Sequence, residues 1–286
     1  MIHFNEVLKT FKSDFWSKEK VVLDKVSFEI PQGKVIGFLG ANGAGKTTSI
    51  KILMDFIKPK SGTVVFSKEL GNNDLEIKKN IGYLPEHPYF YPYLTGREFA
   101  KYLLELNGLK IGDYNDQLIR WTKKLLIDHA LDQKIRSYSK GMLQRLGFVV
   151  AILHSPKFLV LDEPLSGVDP IGRSVMKDAI RELNAKGMTI FFSSHIVSDL
   201  EEVCSDVIFL ERGKVLFNGS KDELLKKDTD LQYSVILREK DKLIEKVFNE
   251  EDKNIFLKEA IKNNKAIERV EAIVPTLEEV VYKLKK

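Results

Sequence analysis

The chain has 286 residues, of which 43% are hydrophobic and 30% are charged, and its net charge is +4. This composition is typical of a globular protein of about two domains, and the small charge excess gives no support for a nucleic-acid partner. No apolar run approaches the roughly 18 residues of a membrane-spanning helix, and no secretory signal is predicted at the start. The single cysteine, Cys204, excludes an intramolecular disulfide and a cysteine-based zinc site.

The first half of the chain begins with strand patterns. Apolar and polar residues alternate in the first 30 residues, which predicts strands on either side of a polar loop at 12–20. The run Val35–Leu39 has the length of a buried parallel strand. A helix is predicted from about Lys46 to Met54. Strand-like and helix-like segments then alternate, which indicates an α/β sheet.

A mainly helical insertion interrupts this alternation at about 86–154. Within it, Thr95–Glu98 has the pattern of a capping box that opens a helix. The apolar runs Phe158–Leu161 and Thr189–Phe192 return to the pattern of buried strands. Residues 207–217 predict a hairpin.

The composition shifts near residue 227. We therefore divide the chain into a main domain, 1–227, and a small C-terminal α/β domain, 228–286. In the second domain, Leu231–Leu237 and Arg269–Val274 are strand-like and lie among amphipathic helical segments. Thr276–Glu279 is a capping box for the last helix.

The most specific motif is glycine-rich and lies between the strand at 35–39 and the helix after it. It fits the pattern G-x-x-x-x-G-K-[ST]. Glycines let successive N–H groups point at phosphate oxygens, Lys46 supplies a cation to the outer phosphates, and the Thr47 hydroxyl is a ligand for Mg²⁺. The sequence therefore predicts a nucleoside triphosphate site with these contacts: Gly40, Asn42, Gly43, Ala44, Gly45, Lys46, Thr47 and Thr48.

Two consecutive acids follow the apolar run Phe158–Leu161. A buried strand that ends in an acid places it at the carboxyl edge of the sheet, where α/β folds bind ligands. We expect Asp162 to hold Mg²⁺ through water and Glu163 to act as general base toward the attacking water.

These motifs together resemble the ABC-type ATPases, specifically the ATP-binding subunit of an ABC transporter, over about residues 1–220. The phosphate loop and the acidic strand end correspond to Walker A and Walker B. Tyr138–Met142 stands at the family signature, and Ser166–Asp169 resembles the D-loop. His195 resembles the switch histidine that contacts the γ-phosphate, and Phe11 resembles the aromatic that stacks on adenine, a role that Phe15 or Trp16 could fill instead.

The resemblance implies that each ATP lies between two subunits. Ser139 and Gly141 would then hold the γ-phosphate of the second subunit, and Asp169 would lie at the same interface. The alternatives are that Ser139 and Asp169 only cap helices and that His195 is an ordinary buried histidine.

The sequence departs from the family at three positions. Lys140 replaces the first glycine of the signature, and Met142 replaces its glutamine. Glu86 stands where the family has a glutamine that ligates Mg²⁺; a carboxylate can also ligate this ion.

The resemblance implies a P-loop NTPase of ABC type: α/β, with an N-terminal antiparallel β part, a mainly parallel core sheet, a helical insertion and a C-terminal α/β extension. It implies an ATPase motor that uses ATP and Mg²⁺, pairs with a second ATPase subunit, identical or different, and drives separate transmembrane permease subunits from the cytoplasmic face of the membrane. The C-terminal residues Pro275–Val280 resemble subunits of the drug, lipid or polysaccharide export type.

Two other classes of function compete with this one: a soluble ABC-type ATPase, and a GTPase or small-molecule kinase. A soluble ABC-type ATPase acting on nucleic acid or ribosomes usually carries two ATPase modules or a long coiled-coil insertion, whereas this chain has one phosphate loop and few residues between Ser139 and Asp162. A GTPase needs a guanine-reading Asn-Lys-x-Asp, and Asn264–Ile267 lacks the acid.

The aromatic segment His87–Leu94, directly after Glu86, is predicted to dock a membrane subunit.

Overall fold

The computed structural model describes residues 1–12, 18–226, 232–239, 242–263, 265–273 and 276–284. The chain divides into two compact units, Met1–Gly219 and Ser220–Lys286. Among the described residues, no helix is both long enough and apolar enough to cross a bilayer.

The first unit contains two sheets and the helices around them. Its strands are β1 (Ile2–Phe11), β2 (Lys20–Ile30), β3 (Val35–Leu39), β4 (Ser61–Phe66), β5 (Ile81–Leu84), β6 (Phe158–Asp162), β7 (Thr189–Ser194), β8 (Asp206–Glu211) and β9 (Lys214–Ser220). Its helices are α1 (Lys46–Leu53), α2 (Asp74–Lys79), α3 (Gly96–Leu106), α4 (Ile111–Lys124), α5 (Lys140–Ile152), α6 (Pro170–Ala185) and α7 (Val197–Val203).

The central sheet has the strand order β5-β6-β7-β3-β8-β9, and the pairings among its first five strands are parallel. β3, β6 and β7 are buried along their whole length, because the N-terminal antiparallel sheet packs on one face of the central sheet and helices such as α7 pack on the other. Their carboxyl ends meet at one edge, which positions the residues that follow each strand. The expected mainly parallel core sheet is confirmed.

The N-terminal antiparallel part is also confirmed, with the order β2-β1-β4. Its inner face packs on the central sheet through aromatic rings. Phe4 stacks on Phe28 with ring centroids 4.2 Å apart, Phe28 lies 5.6 Å from Phe38, and Phe38 lies 5.0 Å from Phe191. These rings join the two sheets in one hydrophobic core.

The helical insertion comprises α3, α4 and α5. The capping box at its start is confirmed, because the Thr95 hydroxyl accepts a hydrogen bond from the Glu98 N–H and the Glu98 carboxylate accepts one from the Thr95 N–H. α4 is tied to α6 of the core by Glu182, whose carboxylate meets Arg120, Lys124 and, at 2.8 Å, Lys186.

The second unit contains α8 (Lys221–Lys226), β10 (Gln232–Glu239), β11 (Lys242–Phe248), α9 (Glu250–Lys262), β12 (Ala266–Ile273) and α10 (Leu277–Leu284). The strands form an antiparallel sheet in the order β11-β10-β12, and a small core of Val235, Leu237 and Ala260 lies between this sheet and α9. α8 and α10 contact each other. The strand β11 was not predicted from the sequence, and residues 231 and 274 of the predicted strands lie outside the described residues.

Candidate functional site

The glycine-rich loop runs from the end of β3 to the start of α1, and two of its glycines are required by close contacts. A side chain at Gly40 would bring its Cβ within 2.5 Å of the Leu210 carbonyl oxygen. Gly45 has a φ of 114°, and a Cβ there would lie 2.6 Å from Leu23. Only glycine avoids the clash at position 40 and adopts the left-handed backbone at position 45 without strain. The loop can therefore curl tightly against β8 and β2.

Lys46 begins α1 and is 6% exposed. Its ammonium donates to the carbonyl oxygens of Gly40, at 2.6 Å, and Ala41, at 3.4 Å. It also lies 3.3 Å from Oε1 of Glu163. The Lys46 ammonium is therefore held beside the loop by the two carbonyl oxygens and the Glu163 carboxylate. Phosphate oxygens can replace these contacts when a nucleotide binds.

Asp162 and Glu163 lie at the end of β6, and the neighbouring strand β7 orients both. Asp162 pairs in register with Ser193. The Ser193 hydroxyl donates to Oδ1 of Asp162 at 2.7 Å and accepts from the Glu163 N–H at 2.9 Å. Ser193 was not predicted as a site residue, because its role depends on the pairing of two strands that are distant in sequence.

The environment of Asp162 disfavours its charged form. Burial raises the pKa of its carboxyl, and the nearby negative charges of Glu86 and Glu163 contribute to the rise. Hydrogen bonds from Ser193 and Thr47 lower the pKa and partly offset these effects. A bound cation would stabilise the carboxylate in the same way that these hydrogen bonds do.

Glu163 connects the phosphate loop to His195. One oxygen, Oε1, faces Lys46, and the other, Oε2, lies 2.9 Å from Nδ1 of His195. The backbone of Glu163 is left-handed, with a φ of 49°, which is uncommon for a residue other than glycine. This strained backbone conformation places the carboxylate between the Lys46 ammonium and the His195 ring.

These residues surround a cleft of about 580 Å³. Its lining contains Lys20, Val22, Ala41, Asn42, Gly43, Gly45, Lys46, Thr47, Thr48, Glu86, Glu163, Ser166 and His195. The structure thus brings together most of the sequence-predicted site residues. Gly40, Ala44 and Asp162 are buried next to the lining rather than in it.

Phe11 does not line this cleft. Its ring is 44% exposed, and the ammonium of Lys9 lies 5.1 Å from its centroid. Phe11 pairs across the strands with Lys20, and Lys20 and Val22 of β2 are the residues that reach the cleft. Phe15 and Trp16, the alternatives for base stacking, lie outside the described residues.

Ser139, Gly141 and Asp169 form a second cluster that does not line the cleft. The Ser139 hydroxyl caps α5 by accepting from the Met142 N–H at 3.2 Å. A Cβ at Gly141 would lie 3.5 Å from the Gly167 carbonyl oxygen and 3.8 Å from the Asp169 carboxylate.

Asp169 also caps its own helix. Its carboxylate accepts from the Gly172 N–H at 3.3 Å, and Arg145 lies 3.9 Å away. The capping roles of Ser139 and Asp169 are therefore present. A contact with nucleotide would require a phosphate that is bound by another subunit.

The donor set fits Mg²⁺ shared with a nucleotide. In the part of the chain that the structure describes, no group of three or more His, Cys, Asp or Glu side chains could hold a metal ion alone. Oδ2 of Asp162, however, is buried without a hydrogen-bond partner, and the Thr47 side chain is close enough to the same carboxyl to lower its pKa. These oxygens would hold Mg²⁺ together with phosphate oxygens and water, as a hard cation prefers.

The fold and the cleft define a P-loop nucleotide-binding protein of the α/β class. The ABC transporter family model matches residues 23–166. An uncharacterized ABC transporter ATP-binding protein of Nostoc sp. is 39% identical over 241 residues, which are 77% of this chain and 67% of the relative. The chain therefore belongs to the ABC transporter family and is an ATP-binding subunit.

Two further comparisons extend this result. The bacitracin transport ATP-binding protein of Bacillus licheniformis is 39% identical over 209 residues, which are 72% of this chain and 67% of that protein. The dimeric structure of a bacterial ABC transporter cassette matches with a TM-score of 0.68 at 22% identity, over 77% of this chain and 98% of the other. The second comparison supports the fold.

Proposed function

We propose that this protein is the ATP-hydrolysing motor subunit of an ABC transporter and couples hydrolysis to transport by separate membrane subunits. The observation that carries this proposal is the placement of Glu163 between Lys46 and His195 in the cleft. A base, a phosphate-binding cation and a polar group beside the base are the components that hydrolysis of a bound triphosphate requires.

In the proposed reaction, the loop N–H groups and Lys46 bind the phosphates of ATP. Thr47 and Asp162 would hold Mg²⁺, which would supply positive charge to neutralise the phosphate oxygens. Glu163 accepts the proton of the attacking water. His195 holds the Glu163 carboxylate and reaches toward the outer phosphate, while Ser193 fixes the direction of both acids.

We propose that the active form is a dimer. Ser139 and Gly141 lie in a cluster separate from the cleft, so one chain does not enclose a nucleotide from both sides. The N-terminus of α5 carries the Ser139 hydroxyl and free N–H groups that suit a γ-phosphate. The dimeric state of the related cassette supports this arrangement.

We also propose that the partners are membrane permease subunits and that the direction of transport is export. The segment His87–Leu94 follows Glu86 of the cleft and exposes Tyr89 and Tyr93, which are 80% and 75% exposed. Rings on a proline-stiffened loop are suitable anchors for a partner, here a permease at the cytoplasmic face of the membrane. Similarity to a bacitracin transport protein favours export.

The test is the variant Glu163→Gln, because an amide cannot accept the proton of water at neutral pH. We expect ATP affinity to stay within about threefold of the parent and hydrolysis to fall at least about 100-fold. The variant should also accumulate as an ATP-bound dimer in size-exclusion chromatography. Glu105→Gln, an exposed acid on α3, is the control and should hydrolyse ATP at the parental rate.

A Glu163→Gln variant that hydrolyses ATP as fast as the parent would show that Glu163 is not the base. The soluble alternative, an ATPase that acts on nucleic acid or ribosomes, is tested separately. It predicts that RNA, rather than a membrane subunit, stimulates the ATPase rate of the parent chain.

A further inference from the structure

The helices α6 and α7 face each other through a row of ion pairs outside the cleft. Three cations lie four residues apart on one face of α6: Arg173, Lys177 and Arg181. Two acids on α7, Asp199 and Glu202, pair with them. We call these five residues the α6–α7 ion row.

Asp199 is the most buried member of the ion row, with 3% of its surface exposed. Oδ1 lies 3.0 Å from the Lys177 ammonium, and Oδ2 accepts from the Arg173 guanidinium. A buried carboxylate is costly unless it is paired and hydrogen-bonded, and here both oxygens have cationic partners. The geometry of the two helices at this point is therefore closely determined.

The Arg173–Asp199 pair lies four residues along the chain from each of two residues of the nucleotide chemistry. Arg173 follows Asp169 by four residues, and Asp169 begins α6 as its N-cap. Asp199 follows His195 by four residues, and His195 contacts Glu163 at 2.9 Å. The pair thus joins the segment at the dimer cluster to the segment that carries the histidine of the cleft.

We propose that Asp199 is a positioning residue for His195 and that it acts through its ion pair with Arg173. By fixing the start of α7 against α6, the pair holds the His195 ring in line with the Glu163 carboxylate. It also keeps the His195 segment at a fixed position relative to the Asp169 segment. This inference rests on the proposed ATPase function. It adds a residue that touches neither nucleotide nor the reacting water.

The ion row also supplies an internal control. Glu202 bridges the same two helices, at 2.8 Å from Lys177 and 3.8 Å from Arg181, but its side chain is 53% exposed and lies farther along α7 from His195. A purely structural role predicts that loss of either acid acts through stability alone. A positioning role predicts that only loss of Asp199 changes the chemistry.

The experiment compares the full-length parent with Asp199→Asn, Asp199→Glu and Glu202→Gln. For each we would measure kcat and KM for ATP hydrolysis, the Kd of ATP, the melting temperature, and the ¹H–¹³C NMR signal of the His195 ring. The chain has five histidines, so this signal is resolvable and is assigned by its loss in His195→Ala.

We expect Asp199→Asn to lower kcat about tenfold, to leave the Kd of ATP within about twofold, and to shift the His195 ring signal, because small displacements of a reacting group reduce rate more than binding. Asp199→Glu restores the charge and should recover part of kcat. Glu202→Gln should retain parental kcat and an unshifted His195 signal.

An Asp199→Asn variant with parental kcat, or with an unshifted His195 signal, would overturn the proposal. If Asp199→Asn does not fold, Arg173→Lys replaces it, because lysine keeps the charge but loses the planar guanidinium geometry, and the same outcomes decide. A parent chain that does not hydrolyse ATP would refute the proposed function instead, so the two failures are distinguishable.

Discussion

The hydroxyl of Ser193 donates to Oδ1 of Asp162 at 2.7 Å and, at the same time, accepts from the N–H of Glu163 at 2.9 Å. One side chain on β7 therefore orients two consecutive acids on β6 that have different proposed tasks. Since Ser193 is completely buried, water cannot replace its hydroxyl without cost.

The variant Ser193→Ala tests this relationship. Loss of a hydrogen bond that lowers the pKa of Asp162 should raise that pKa further, so Asp162 becomes protonated at a higher pH than in the parent. We expect the acid side of the pH–rate profile to shift toward higher pH and the rate at neutral pH to fall about tenfold. Ser174→Ala, an exposed position on α6, should leave the profile unchanged.

Lys46→Ala should lower ATP affinity by about 100-fold or more, because it removes the cation that the loop carbonyls hold at the mouth of the cleft. Direct binding of a fluorescent ATP analogue measures the effect. Lys51→Ala removes an exposed lysine from the same helix and is the matched control. Equal affinity in the Lys46→Ala variant and the parent would refute the assignment of this loop.

The exposed rings of the His87–Leu94 segment should be separable from its packed rings. Tyr89→Ala and Tyr93→Ala should keep parental melting temperature and ATP binding but lose co-purification with the membrane subunit. Tyr91 is less exposed, at 43%, and its ring lies 5.5 Å from that of Tyr102 and 6.3 Å from that of Phe99, in addition to its contact with Tyr89. Tyr91→Ala should therefore melt earlier, and if all three variants melt earlier, the docking prediction fails.

Truncation tests the division of the chain. A chain ending at Gly219 should fold and bind ATP, because the described cleft residues all precede that point. A chain ending at residue 228 keeps α8, whose Leu224 is buried, but loses α10, which α8 contacts. We expect the chain that ends at residue 228 to be less soluble than the chain that ends at Gly219, because α8 has lost its partner helix. Loss of ATP binding in the Gly219 truncation, measured with the same ATP analogue, would show that the two units do not fold separately.

Glu182 predicts a pH dependence of stability. The cations of Lys124, Lys186 and Arg120 lower its pKa from the usual 4.5 to about 2. A depressed pKa contributes stability above pH 4.5 that is lost as the pH falls toward 2. Glu182→Gln should reduce the free energy of unfolding at pH 7 by about 1 kcal/mol, since the group is only partly buried. Urea unfolding should show the difference between variant and parent narrowing below pH 4.5.

The sequence predicted the components of the site that lie within one continuous motif. The glycine-rich loop and the Asp162–Glu163 strand end need only local order: a strand, a tight turn and a helix. The hairpin is confirmed by β8 and β9, which are adjacent in the sheet and joined by a two-residue turn. The capping boxes at Thr95 and Thr276 are also local, and the structure confirms both. Their residues interact over three or four positions, so spacing alone carries the information.

The rest depends on which distant elements become neighbours. Ser193 contributes because β7 pairs with β6 in a particular register, and Lys20 reaches the cleft because β2 lies beside the phosphate loop. The Arg173–Asp199 pair depends on the packing of two helices. Strand β11 was missed because Leu243 and Val247 recur at a spacing that suits a helix, whereas pairing with β10 makes this segment a strand.

The position of β7 has a mechanical consequence. It lies between β3, which precedes the phosphate loop, and β6, which carries the two acids, and it is hydrogen-bonded to both neighbours. The phosphate loop and the two acids are thus fixed to one hydrogen-bonded sheet. They cannot separate during a turnover without breaking the hydrogen bonds that join β3, β7 and β6. Any change of conformation that accompanies the proposed hydrolysis is therefore expected outside these three strands, which keep the loop and the two acids at a fixed separation.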